Sequence, residues 1–598
     1  MSESAMSNVS LPNPLDVTMT VTKIAGQSRR LILDYLHRQA ANSKLGMLDV
    51  TSLGNAFMDM TTQLMTQPEK LVAAQMGLWQ DYLALWQNSM LAIYGAKNGP
   101  LADTEDDRRF KHDDWQDNIL FDFIKQAYLL TARWVLTTVR EVEGLDDKTS
   151  RKVDFFMRQF VDALSPTNFV LTNPEVLRTV VETGGQSLLD GLSNLLDDLE
   201  RGKGKLAIRM TDLEAFELGE NVATTPGKVV YQTELMQLIQ YQPSTDEVYQ
   251  RPLLIVPPWI NKYYILDLQP KNSFIKWAVD QGHSVFVVSW VNPDERLAQK
   301  DFEDYLTEGT LTALDGIEKA TGERVVNGVG YCLGGTLLMA TVAYLAAKRQ
   351  RRFESVTCLT TLLDFSAPGE LEVFIDEDQV SSLEKIMDAR GYLEGSEMAT
   401  TFNMLRANDL IWSFFINNYL LGKEPFPFDL LYWNSDSTRM PAQMHSFYLR
   451  NMYLENNLVK PGAIVLNDTP IDLGKIKTPT YFLSTLEDHI APWRTTYAGT
   501  QWVSGDVKFV LGGSGHIAGV INPPDKQKYG FWTNDELPSD PSDWFQNATK
   551  NQGSWWLDWQ AWVEPFGGEK VPARVPGDAE LPVLEDAPGS YVKLRLVK

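Results

Sequence analysis

Residues 323–347 read ERVVNGVGYCLGGTLLMATVAYLAA. A β-branched run, 325–329, is cut by glycines and then by Cys332, and an apolar helical run follows over 333–347. This predicts strand, sharp turn and helix, with a thiol on the turn. Gly330-Tyr331-Cys332-Leu333-Gly334 has the spacing of a G-x-Ser-x-G nucleophile elbow with sulfur in place of oxygen. On so tight a turn, strand and helix pass close on either side, so side chains at 330 and 334 would clash. The turn also sets Cys332 at a helix N-terminus, where the dipole favours a thiolate.

Other readings of the stretch are weaker. A lone buried Cys is usually a small hydrophobe, but the flanking glycines argue for a nucleophile. The run 325–347 carries no charge, as a membrane span would, yet it holds an Asn and four glycines and changes from strand to helix. Gly328, Gly330 and Gly334 loosely suggest a dinucleotide loop. The third glycine of that pattern would fall at Leu333, and no acidic residue ends a second strand about twenty residues on.

Outside this stretch, the 598 residues predict more than one domain. A net charge of −24 argues against general nucleic-acid binding, which needs a basic face. Two cysteines, Cys332 and Cys358, make no disulfide framework and suggest a reducing compartment. The start, MSESAMSNVSLPNP, lacks a basic and an apolar signal region, so a cytoplasmic protein without a transmembrane segment is expected. Six His and two Cys show no metal-ligand spacing, so no metal is expected; no cofactor is expected either.

The order of elements predicts an α/β fold. Residues 1–205 read as a mainly helical N-terminal domain, with apolar residues at helical spacing over 69–94 and 117–139. Core packing is the simpler reading of those stripes; docking onto a partner or a hydrophobic body is the alternative. Residues 98–114 read as a linker, and 201–205 as a turn. Residues 206–598 read as the catalytic domain. Strands are predicted at 252–256, 284–290, 325–329, 356–363, 478–485 and 507–511, with helices at 273–281 and 302–320. That alternation means a mainly parallel sheet with right-handed crossovers. From about 364 to 470 the alternation stops in an aromatic-rich stretch, read as a cap inserted over the carboxyl edge. The tail after Asn534 carries Trp555, Trp556, Trp559 and Trp562, with no function apparent.

A nucleophilic Cys needs a base, and the base needs an orienting acid. In the α/β-hydrolase order these follow the nucleophile as acid and then histidine, each after a strand. Asp488 follows the strand at 478–485, and His516 follows that at 507–511. Glu487 competes as acid and His489 as base; each adjoins Asp488 and would point away from it. His37, His112, His283 and His445 lack the after-strand placement and read as structural. The oxyanion hole needs two backbone N–H groups. Leu333 should supply one. Trp259 or Ile260 should supply the other, because Pro257 and Pro258 have none.

These residues carry a family resemblance. GYCLGG (330–335), PPWINKYYILDL (257–268), TTLLDFSAPGEL (360–371), LLYWNSDSTRMP (430–441), EDHIAPW (487–493) and GHIAGVINPP (515–524) resemble the class I polyhydroxyalkanoate synthases. The resemblance spans residues from about 100 to the end. It implies an α/β-hydrolase core that polymerises (R)-3-hydroxyacyl-CoA into polyester, as in poly-3-hydroxybutyrate, and releases CoA. The family's catalytic Cys, Asp and His fall on Cys332, Asp488 and His516. The resemblance further implies a homodimer at the polyester granule surface, in contact with granule-associated proteins. Sulfur fits this chemistry: transfer from a CoA thioester to Cys gives another thioester, still activated for attack by a hydroxyl. A Cys-dependent thioesterase or dienelactone-hydrolase-like enzyme is the alternative, and a catalytically idle granule scaffold the third reading.

Overall fold

The computed structural model describes residues 50–94, 99–102, 107–577 and 580–595. His37, the start of the predicted helical domain and parts of the 98–114 linker lie outside them. The chain forms two compact units. One takes the described residues up to Asp212 together with Thr400–Phe426; the other takes Leu213–Ala399 and the chain from Pro427.

The first unit is helical. Its main helices are α1 (Val50–Met65), α2 (Pro68–Ile93), α3 (Ile119–Arg140), α4 (Asp147–Ala163), α5 (Pro174–Glu182) and α6 (Gln186–Arg201). Asp146 and Asn173 cap α4 and α5 by accepting from two N–H groups each. Leu85 of α2 meets Leu130 of α3, while Ala56 and Met60 of α1 meet Val139 and Val153. The apolar stripe of α2 is not core, contrary to the simpler expectation. Leu85 is its buried residue, while Trp79, Leu83 and Trp86 are 64%, 57% and 58% exposed.

Thr400–Phe426, expected in the cap, belongs to this first unit, and the boundary lies at Asp212 rather than 205. Asp198 of α6 explains the attachment. Its carboxylate is buried and accepts from Tyr419 Oη at 2.6 Å and Arg209 Nε at 2.7 Å. Asn194 Nδ2 donates to the Asn418 carbonyl at 3.1 Å. An unpaired carboxylate buried there would cost several kcal/mol, roughly.

The second unit is built on an eleven-stranded sheet. In chain order the strands are β1 (Gly227–Gln232), β2 (Met236–Tyr241), β3 (Leu253–Val256), β4 (Val285–Trp290), β5 (Val326–Tyr331), β6 (Phe353–Leu359), β7 (Thr480–Thr485), β8 (Val507–Gly512), β9 (Phe531–Thr533), β10 (Thr549–Asn551) and β11 (Glu585–Asp586). Their order across the sheet is β10-β9-β8-β7-β6-β5-β3-β4-β2-β1-β11. The six strands from β4 to β8 in that order are parallel, as expected for alternating strands and helices. Antiparallel strands extend both ends. Strands β3 to β8 are buried over nearly their whole length, which fits their continuous β-branched and aromatic runs. Helix α7 (Leu333–Ala347) follows β5 directly and is buried from Leu333 to Leu345. It is a helix of the core, and among the described residues no helix is long and apolar enough to cross a membrane.

The tryptophan-rich tail is structural. Helix α8 (Trp555–Val563) buries Trp555, Trp556 and Trp559 around Phe274 and Trp277. Cys358 is buried on β6 opposite Gly330 of β5, and burial pushes its thiol far up, away from reactivity.

Candidate active site

The turn between β5 and α7 has the strain expected of a nucleophile elbow. Cys332 sits at φ 51°, ψ −121°, a left-handed conformation that a residue with a Cβ adopts only under constraint. The constraint is visible. Cys332 N donates to the Leu359 carbonyl at 2.8 Å, and the Cys332 carbonyl accepts from Gly335 N at 2.9 Å and Thr361 Oγ1 at 3.2 Å. A Cβ on Gly330 would lie 2.3 Å from Gly335 Cα, and one on Gly334 would lie 2.1 Å from the Val256 carbonyl oxygen. The first glycine therefore admits the helix, and the second admits the loop after β3.

Asp488 and His516 meet at the ends of β7 and β8. His516 Nδ1 lies 2.7 Å from Asp488 Oδ2. The other carboxylate oxygen accepts from Ile490 N at 2.9 Å and Ala491 N at 2.8 Å, and Thr485 Oγ1 donates to Oδ2 at 3.3 Å. With its oxygens so engaged, Asp488 is held in place beside the imidazole. The two loops are stitched together by Glu487 N donating to the Ser514 carbonyl at 2.9 Å.

The other face of the imidazole meets the elbow. The Cys332 sulfur is within electrostatic reach of His516, whose ring lies 5.7 Å from that of Tyr331 at 30°. Burial opposes the imidazolium. The Asp488 charge, the Cys332 sulfur and the hydrogen bond to Asp488 outweigh it and hold His516 up at about 10. The site thus favours an imidazolium at His516.

The structure brings Cys332, His516 and Asp488 together as the strand order predicts. The competitors fall elsewhere. Glu487 is exposed. His489 is half-buried, and His516 is hydrogen-bonded to Asp488. Burial pushes His283 and His445 down to about 4, and His112 stands 3.7 Å from Asp114 in the first unit. Leu333 N, first in α7, has no preceding turn to accept from it. Trp259 and Ile260 lie on the loop that abuts Gly334. Among the described residues no cluster of His, Cys, Asp or Glu could hold a metal ion.

Sequence reasoning missed two supports. The first is an aromatic wall. Tyr448 and Tyr453, their rings 5.5 Å apart and both within electrostatic reach of the Cys332 sulfur, pack with Phe365 at 6.0 and 5.1 Å and, through Tyr448, with Trp259 at 5.6 Å. The aromatic content of the insertion was the available signal. The second is the tail: Trp555 Nε1 donates to the Gly519 carbonyl at 3.0 Å and Trp556 Nε1 to the Val520 carbonyl at 2.9 Å. The tail thus holds the turn that follows His516.

Fold and site together define an α/β-hydrolase-type protein with a thiol at its elbow. The comparisons agree. The model of the alpha/beta hydrolase fold matches residues 251–523, and that of the poly-beta-hydroxybutyrate polymerase (PhaC) N-terminus matches residues 106–278. A poly(3-hydroxyalkanoate) polymerase subunit PhaC of Rhizobium meliloti is 52% identical over 89% of this chain and 87% of its own. A poly(3-hydroxyalkanoate) polymerase of Methylorubrum extorquens is 53% identical over 88% of this chain and 87% of its own. The polymerase subunit of Cupriavidus necator is 45% identical over 88% and 89%. The chain belongs to the poly(3-hydroxyalkanoate) polymerase family.

Proposed function

We propose that this chain polymerises 3-hydroxyacyl-CoA into polyhydroxyalkanoate, releasing CoA, through an acyl thioester on Cys332. The observation that carries the reading is one imidazole hydrogen-bonded to a fixed carboxylate and packed at the elbow, within electrostatic reach of the thiol.

The Cys332 thiolate attacks the thioester carbonyl, with Leu333 N–H and the N–H of Trp259 or Ile260 receiving the oxyanion. The bond from the carbonyl carbon to the CoA sulfur breaks, and CoA leaves with the proton of the His516 imidazolium. Having given up that proton, His516 is a neutral base. It then takes the proton of a second unit's hydroxyl, whose oxygen attacks the acyl group. The new ester bond forms, the bond to Cys332 breaks, and the thiolate–imidazolium pair is restored. The wall of Tyr448, Tyr453, Phe365 and Trp259 supports exclusion of water, which would divert the acyl group to hydrolysis.

CoA serves here as the leaving group of the substrate, with no resident cofactor. From the resemblance we extend the proposal to a cytoplasmic homodimer at the polyester granule surface. The exposed Trp79, Leu83 and Trp86 of α2 support contact with an apolar body. Incubation with 3-hydroxybutyryl-CoA tests the reaction: polymer and free CoA are expected. Free hydroxy acid and CoA without polymer would show a thioesterase instead.

A further inference from the structure

We propose that Lys262 is a positioning residue for the oxyanion hole, held by the C-terminal segment of the chain. The proposal rests on the assignment of an oxyanion donor to Trp259 or Ile260. The loop carrying them is fixed at its two ends. At the near end Trp290 Nε1 donates to the Pro257 carbonyl at 2.8 Å, and the backbone lies against Gly334. Between the ends, the Trp259 indole N–H is buried without a partner, so its ring is held by packing against Phe302, Tyr305 and Tyr448. The far end depends on Lys262.

Lys262 is an unusual residue in that place. Its ammonium is buried and held from three sides: the Val592 carbonyl at 2.7 Å, the Leu594 carbonyl at 2.8 Å and the Asp436 carboxylate at 2.8 Å. Its own carbonyl accepts from Trp433 Nε1 at 2.7 Å. Asp436 is fixed in turn by Tyr264 Oη at 3.0 Å, with Arg595 Nε 3.6 Å away. A buried ammonium is tolerated only with such partners, and losing them would leave a costly charge. The ammonium thus ties three distant stretches together two residues beyond Ile260: the donor loop, the 433–436 turn and the chain end at 592–595. Small displacement of a backbone donor is felt in the transition state rather than in substrate binding.

The test is Lys262→Met in the full chain with 3-hydroxybutyryl-CoA. We expect kcat to fall on the order of 10²-fold, the size of losing one oxyanion donor, with KM little changed. Alkylation of Cys332 by iodoacetamide, which forms no oxyanion, should keep its wild-type rate. Unchanged kcat would overturn the proposal, as would kcat and alkylation rate falling together. Should Lys262→Met not fold, Asp436→Asn leaves both carbonyl partners in place. It should show the same split at smaller size, and an unchanged kcat there overturns the proposal equally. Failure of the underlying reading looks different: Cys332→Ala would retain CoA release whatever stands at 262.

Discussion

Replacing Cys332 with serine should stop polymer growth. Two effects combine. A serine hydroxyl is scarcely ionised near neutral pH, whereas a cysteine thiol has a far lower ordinary pKa and is the better nucleophile. Any acyl group that did reach the serine would be an ordinary ester, and passing it to another hydroxyl would yield a second ester with almost no driving force. The loss expected on removing a nucleophile from such a unit is about 10³–10⁶-fold in rate. Cys332→Ser should therefore form no measurable polymer while folding normally, because Oγ is smaller than Sγ and fits the same turn. The measurement is CoA release and polymer yield beside the melting temperature. Polymer at a tenth of the wild-type rate would contradict the assignment.

Asp488→Asn should be the second severe change. An asparagine Oδ1 can still accept from Ile490 N and Ala491 N, so the loop keeps its shape. Its amide, however, would present a donor to His516 Nδ1. That favours the tautomer with its proton on Nε2, facing the thiol, where a base is needed. The expected loss in kcat is about 10³–10⁴-fold. A pH signature should accompany it. His516 stands at about 10 in the folded chain against 6.5 for the free side chain. A folded value raised in this way stabilises the protein fully below pH 6.5, and the contribution fades as pH rises to about 10. In Asp488→Asn the strongest upward cause is gone, so the variant should lose less stability over that window than the wild type. Urea unfolding at both ends of the window checks this; parallel losses in the two proteins would contradict it.

The elbow and its partners were legible because their residues are dictated by backbone geometry. Glycines at 330 and 334 answer close approaches that permit no Cβ. Asp488 and His516 follow strands whose burial leaves an apolar signature in the sequence. What periodicity does not report is what covers an apolar face. The stripe on α2 reads the same whether buried or exposed, so Trp79 and Trp86 were misplaced. Likewise Phe415 and Tyr419 are aromatic enough for any core, and the partners that draw their stretch into the helical unit, the buried Asp198 carboxylate and Asn194, are polar. Lys262 illustrates the same limit. A lysine in a loop is ordinarily solvated, and only the fold brings Val592, Leu594 and Asp436 to it.

The most direct measurement is mass spectrometry of the protein quenched in acid during turnover of 3-hydroxybutyryl-CoA. The peptide carrying Cys332 should be heavier by one or more hydroxybutyryl units, and hydroxylamine should remove that mass, as it does for a thioester. An unmodified Cys332 peptide in enzyme that is steadily making polymer would contradict the central claim that the growing acyl group is carried on this sulfur.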